Sequence, residues 1–350
     1  MHERGVVVCC GTGGVGKTTT AAATALAAAR AGRRAAVVTI DPAKRLADAL
    51  GIAELGNTPT EIPGPWPGTL SALMLDTKST FDEVVRRYAP DERQAERIID
   101  NRFYRNVSTT LSGTQDYMAV EKLSELHASG DWDLVVVDTP PTRDALAFLD
   151  APRLLARLLD NPIYRMLTAP GRGALKAVNK AAQTVLRRLS RVVGADVVEE
   201  AIAFFQAFEG MEDGFRERAM TTLALLGDEQ TSFVLVASPR ADTLGEARYF
   251  LDKLTHAGLH VEAVVVNRML PSFSTSPARA AELRDEFAGT PLAGPATALA
   301  DFTAAAAGDE ERVTGLTAHT PQATVVRVPL LGRDVHDVDT LTSIADLLVR

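Results

Sequence analysis

The sequence predicts an α/β protein built on a doubly wound, mostly parallel sheet with an inserted helical subdomain. Short runs of Val, Ile, Leu and Ala without polar alternation recur along the chain. Such runs are the mark of strands buried on both faces, as in a parallel sheet covered by helices. Longer helical patterns separate them, and this strand–helix order leads to an open sheet of about seven or eight strands. Two stretches, 77–130 and 150–230, break the alternation and contain no convincing strand, so they read as helical insertions into a single 1–350 domain.

In chain order, the first run is Val6–Cys10, followed by a Gly-rich turn and an Ala-rich helical pattern over Thr18–Ala31. Ala35–Ile40 and Leu70–Leu75 are the next two strands, separated by Gly56–Gly68, whose four prolines predict a rigid loop. Leu134–Val137 lies between the two insertions, and Phe233–Ala237 follows the second. A helix over Leu244–Ala257, strands at Ala263–Val266 and Thr324–Val328, and a helix over Thr340–Val349 complete the series. In such a sheet the ligand crevice lies at the carboxyl ends of the strands.

The composition narrows the function classes. Among 350 residues, 37 Lys and Arg stand against 45 Asp and Glu, a net charge of −8 that argues against bulk binding of nucleic acid. The only cysteines, Cys9 and Cys10, are adjacent in an apolar run, which excludes a disulfide framework and a Cys-rich zinc module. No apolar run approaches the roughly 18–20 residues of a membrane span. The expected location is the cytoplasm, with a peripheral position on the inner membrane face as a variant.

The strongest motif is Gly11-Thr-Gly-Gly-Val-Gly16-Lys17-Thr18, which fits GxxxxGK[ST] and sits between a strand and a helix. Glycines let the backbone turn its N–H groups onto phosphates, and the helix N-terminus adds a favourable dipole. Nucleotide binding is therefore expected at Gly13, Gly14, Val15, Gly16, Lys17, Thr18 and Thr19. Lys17 would reach the β- and γ-phosphates and Thr18 would ligate magnesium. Two further strands run into a carboxylate, at Asp41-Pro-Ala-Lys44-Arg45-Leu-Ala-Asp48 and at Asp138-Thr139-Pro-Pro-Thr142-Arg143-Asp144. Either Asp could simply cap the next helix. Two at corresponding strand ends beside a phosphate loop favour the metal shell and the attacking water instead.

Together these residues resemble the deviant-Walker P-loop ATPases of the arsenite-pump and tail-anchored-protein-targeting family. There the loop reads KGGxGK[ST], the first switch begins DPAH and the second reads DTAPTGH. The likeness runs over nearly the whole chain and is strongest to the paired, ArsA-like anion-transporting ATPases of actinobacteria. It implies a dimeric ATPase using ATP and Mg, either a homodimer or a heterodimer with a related subunit. Asp41 would position or activate the hydrolytic water alongside Lys17, with Asp138 in the outer magnesium shell. Thr139 and Thr142 would sense the γ-phosphate, while Asn267 and Pro329 would lie at the adenine. Ser112-Gly-Thr-Gln-Asp-Tyr-Met resembles the family's helical PGIDEA stretch more loosely.

Two departures stand out. Thr12 occupies the place of the family's signature lysine, which neutralises charge across the dimer. A lysine-bearing partner, a substitute cation (Lys44, Arg45 or Arg143) or a switch with little turnover would compensate. The lack of separated cysteines argues against arsenite allostery and a zinc clamp. Within 150–230, Leu175, Val178, Ala182, Val185, Leu189 and Val192 form a helical apolar stripe beside basic residues, with no acid from Gly171 to Ala195. It reads as a core stripe with a solvated basic face, the favoured reading, or as a basic helix that lies on an anionic membrane surface or docks a partner helix. Phe204, Phe205, Phe208 and Phe215 pose the same choice, with core packing favoured.

Overall fold

The computed structural model describes residues 5–41, 43–105, 114–140, 153, 157, 160 and 195–349. The chain divides into two compact units, residues 1–74, 129–146 and 227–350 in one, 75–128 and 147–226 in the other.

The first unit carries an eight-stranded sheet. Its strands are β1 (Val6–Gly11), β2 (Arg34–Thr39), β3 (Thr60–Ile62), β4 (Thr69–Met74), β5 (Leu134–Asp138), β6 (Thr231–Ala237), β7 (Val261–Met269) and β8 (Thr324–Pro329). They lie in the order β3-β4-β2-β5-β1-β6-β7-β8, and every pair is parallel except β3 with β4. This is the expected doubly wound sheet. Every residue of β1, β5 and β6 is buried, which explains why these segments lack polar alternation.

Around the sheet, in chain order, are α1 (Lys17–Arg30) and α2 (Arg45–Leu50). In the second unit α3 (Thr77–Tyr88), α4 (Glu92–Ile99), α5 (Thr114–Ser129), α6 (Ala195–Ala207) and α7 (Glu212–Gly227) follow, α7 ending where the first unit resumes. Then come α8 (Ala241–His256), α9 (Pro277–Glu286), α10 (Ala293–Thr317) and α11 (Val338–Leu348). The small buried side chains of α1, among them Ala21, Ala22, Ala25 and Ala29, belong to one core with Val7, Val37, Val136 and Val234 of the sheet. Leu341, Ile344 and Ala345 of α11 join the same core.

Gly56–Gly68 is not wholly a loop. Thr60–Ile62 forms a short edge strand, pairing Thr60, Glu61 and Ile62 with Ala72, Ser71 and Leu70. Pro59 and Pro63 bracket it, a placement that an edge strand tolerates because little of its N–H row must be paired. Only Ile62 of the three is buried, too short a signal to read as a strand.

The second unit is helical throughout its described elements. An aromatic series fills its interior: Phe81 contacts Tyr104, Tyr104 contacts Phe204, Phe204 contacts Phe208, Phe208 contacts Phe215, and Phe215 contacts Tyr88. Phe204, Phe208 and Phe215 are buried, so these aromatics are core anchors. Beside them Glu121, also buried, accepts from the Arg218 guanidinium at 2.9 Å. The apolar stripe from Leu175 to Val192 lies outside the described residues.

Candidate functional site

The carboxyl ends of β2, β5 and β1 lie side by side. Asp138, the last residue of β5, is in register with Cys9 on one side and Thr39 on the other. The phosphate loop leaves β1 at Gly11, whose φ of 144° and missing Cβ are both needed: a Cβ there would stand 2.1 Å from the Val236 carbonyl oxygen. The loop ends at Gly16, which adopts φ 95° as the residue before α1. No side chain caps this helix and no acid occupies its first turn, so its leading N–H groups are left for an anionic ligand.

Lys17 is buried and folds back, its Nζ donating to the Thr12 carbonyl at 2.7 Å. Burial lowers its pKa, while Asp138, Cys10 and Asp41 oppose that shift. Asp138 is fully buried, and its Oδ2 accepts from the Thr39 hydroxyl at 2.9 Å. Its Oδ1 has no hydrogen-bond partner among the described residues. Burial pushes the Asp138 carboxyl up to about 6, against the pull of the Thr18 and Thr39 hydroxyls and of Lys17.

Asp41 is largely buried and already engaged. Oδ1 accepts the Ala43 amide at 3.0 Å and Oδ2 accepts from Arg45 at 3.1 Å. It therefore shapes the turn into α2, and a carboxylate still has lone pairs to offer a water. Thr139 is tied to β1, its hydroxyl donating to the Cys9 carbonyl at 2.9 Å. Thr12 is 3 % exposed, and its hydroxyl is buried without a partner among the described residues. Burial raises both cysteine thiols, Cys10 to about 12, so they stay protonated.

Asn267 donates from Nδ2 to the Val15 carbonyl at 2.9 Å, gripping the phosphate loop from β7. Pro329 pairs with Met269 at the end of β8. A cavity of about 410 Å³ opens beside these residues, lined by Gly14, Gly16, Lys17, Thr18, Thr19, Asp41 and Thr139. Of the residues expected from sequence, Gly13, Val15, Asp138, Asn267 and Pro329 do not line it, and Thr142 and Arg143 lie outside the described residues. Arg45 lines it but is bonded to Asp41, and Lys44 does not reach it. Asp48, Ala49, Arg268 and Val335 complete the lining and were not singled out by sequence. Only Arg268 had a signal, its place next to Asn267 at a strand end.

The arrangement offers backbone donors for phosphates, a lysine ammonium, a threonine hydroxyl and two carboxylates at the carboxyl ends of central strands, the parts of a phosphoryl-transfer site. The family model of the Anion-transporting ATPase matches residues 4–288. The chain is 24 % identical over 266 residues to ATPase GET3 of Malassezia globosa, covering 75 % of this chain and 72 % of that one. With ATPase get3 of Schizosaccharomyces pombe it shares 23 % over 260 residues, 74 % of this chain and 72 % of that one. An uncharacterized protein of Streptomyces coelicolor is 30 % identical over 262 residues, 75 % of this chain but 61 % of its own length.

Proposed function

Because the chain belongs to the anion-transporting ATPase family and is an ATPase, we propose that it hydrolyses MgATP at the carboxyl ends of β1, β2 and β5, coupling the cycle to opening and closing of a dimer. The observation that carries this reading is Asp138: a fully buried carboxylate with one oxygen unpartnered among the described residues, set between the phosphate-loop strand and Thr39. A hard, unsatisfied oxygen beside the Thr18 hydroxyl suits magnesium, which is held by few oxygens and keeps its waters. Thr18 would ligate the metal directly and Asp138 through water. A magnesium ion held by these residues would supply charge neutralisation at the phosphates.

The chain's own residues supply the rest. The amides of Gly13, Gly14, Val15 and Gly16 and those opening α1 cradle the phosphates, with Thr18 and Thr19. Lys17 exchanges the Thr12 carbonyl for phosphate oxygens. Asp41 orients the attacking water once Arg45 yields one of its oxygens. Thr139 and Thr142 carry the state of the γ-phosphate to the segment after β5, and Asn267 with Pro329 lies at the adenine. A hydrophobic or membrane-associated client, engaged through the helical insertions at the inner membrane face, would receive the motion. Lys17→Ala tests the site: ATP affinity should fall by about a hundredfold or more, since both a charge and its phosphate bonds are lost. Unchanged affinity in calorimetry would refute it.

A second reading is favoured by Thr12, buried where the resembling family has lysine. On it, the chain is the nucleotide-binding, weakly hydrolysing member of a heterodimer whose other subunit carries the lysine.

A further inference from the structure

We propose that Arg268 contacts the polyphosphate of the bound nucleotide and is the cation that this chain supplies from its own β7 to a phosphate loop that has Thr12. The inference rests on the MgATP reading above.

The backbone gives the first observation. Arg268 adopts φ 62°, a left-handed conformation that an arginine takes at a cost in free energy and that recurs where function requires it. The pairing of β7 with β8 is irregular between Val266 and Met269, so the strain sits inside a local break in the ladder. The break is held in place: Asn267 accepts the Arg268 amide on Oδ1 at 2.8 Å while its Nδ2 grips the Val15 carbonyl at 2.9 Å. The phosphate loop and the strained residue are thus fastened to the same side chain, and Arg268 lines the cavity together with Gly14, Gly16, Lys17 and Thr18.

Charge gives the second, independent observation. Three cations line the cavity. Lys17 is bonded to the Thr12 carbonyl and Arg45 to Asp41. Arg268 is exposed, and among the described residues its guanidinium has no hydrogen bond or ion pair. A planar donor fork held beside a phosphate loop, with no acid to satisfy it, is suited to phosphate oxygens.

The test measures MgATP affinity by calorimetry in the full chain and in Arg268→Gly, Arg268→Ala and Arg268→Lys, at low and high salt. Glycine relieves the left-handed strain, so the nucleotide-free Arg268→Gly protein should melt no lower than the parent. Its ATP affinity should still drop by about tenfold, as a lost charge-assisted bond predicts. Alanine should match glycine in affinity, lysine should recover most of the loss, and the gap between parent and Arg268→Gly should narrow as salt rises. An unchanged affinity, a loss that ignores salt, or a lysine no better than alanine overturns the proposal. A parent protein that binds no MgATP refutes the underlying reading instead.

Discussion

A carboxyl buried without a full set of partners is expensive to ionise, and Asp138 illustrates the consequence. Its pKa rises from an ordinary 3.8 to about 6, chiefly through burial. Between those values the folded chain holds a proton that the unfolded chain has released. The stability Asp138 contributes is therefore full below about 3.8 and lost as pH rises through about 6. Asp138→Asn removes this slope: relative to the parent, the variant should gain stability as pH rises through that window, by an amount on the order of 3 kcal/mol. Denaturant melts across the window check it, and parallel profiles would contradict the assignment. On the proposed MgATP reading, binding should weaken below about pH 6 in the parent, because a proton on Asp138 would then compete for the oxygen proposed to face the metal's water shell.

Among the elements, the loop between β1 and α1 is fixed by contacts that leave no room for a side chain. A Cβ on Gly16 would stand 2.2 Å from Asn267 Nδ2, and φ there is 95°. Gly16→Ala should destabilise the protein by about 1–3 kcal/mol. Because Asn267→Ala alone also loses the bonds to Val15 and Arg268, the comparison is a double-mutant cycle: Gly16→Ala should cost less in the Asn267→Ala background than in the parent, the backbone strain remaining. Thermal melts of both single variants and the double variant decide it, and an equal cost in the two backgrounds would show that the contact is unimportant. The elements themselves differ in how legible they are. The seven apolar runs are all strands because burial on both faces writes a continuous pattern. β3 left none, being short, at the edge and set among prolines. The Gly-rich motif and the Asp41 and Asp138 strand ends could be read from sequence because phosphate and metal sites restrict residue types at such positions, and the structure brings the ends of β1, β2 and β5 side by side. Arg268 had only its place beside Asn267 to mark it, since a left-handed arginine at a break in a ladder has no compositional signature, and Asp41's bonds to Ala43 and Arg45 depend on the turn geometry alone.

At the scale of the whole molecule, nucleotide binding and turnover separate. The site has its phosphate loop, Lys17, Thr18, Asp41 and Asp138, but Thr12 is turned inward with its hydroxyl buried. An inward threonine cannot neutralise charge on a neighbouring subunit's nucleotide, a role worth on the order of 10³-fold in rate. The purified protein should therefore turn over slowly alone and faster with a related subunit that bears lysine at the matching position; full activity alone would contradict the heterodimer reading. Cleavage of bound ATP can be measured without any partner. With protein in excess over labelled ATP and magnesium present, a single turnover should convert bound ATP to ADP in the parent. Asp41→Asn should bind ATP as well as the parent does and leave it uncleaved. Cleavage at the parent's rate by Asp41→Asn would contradict the account.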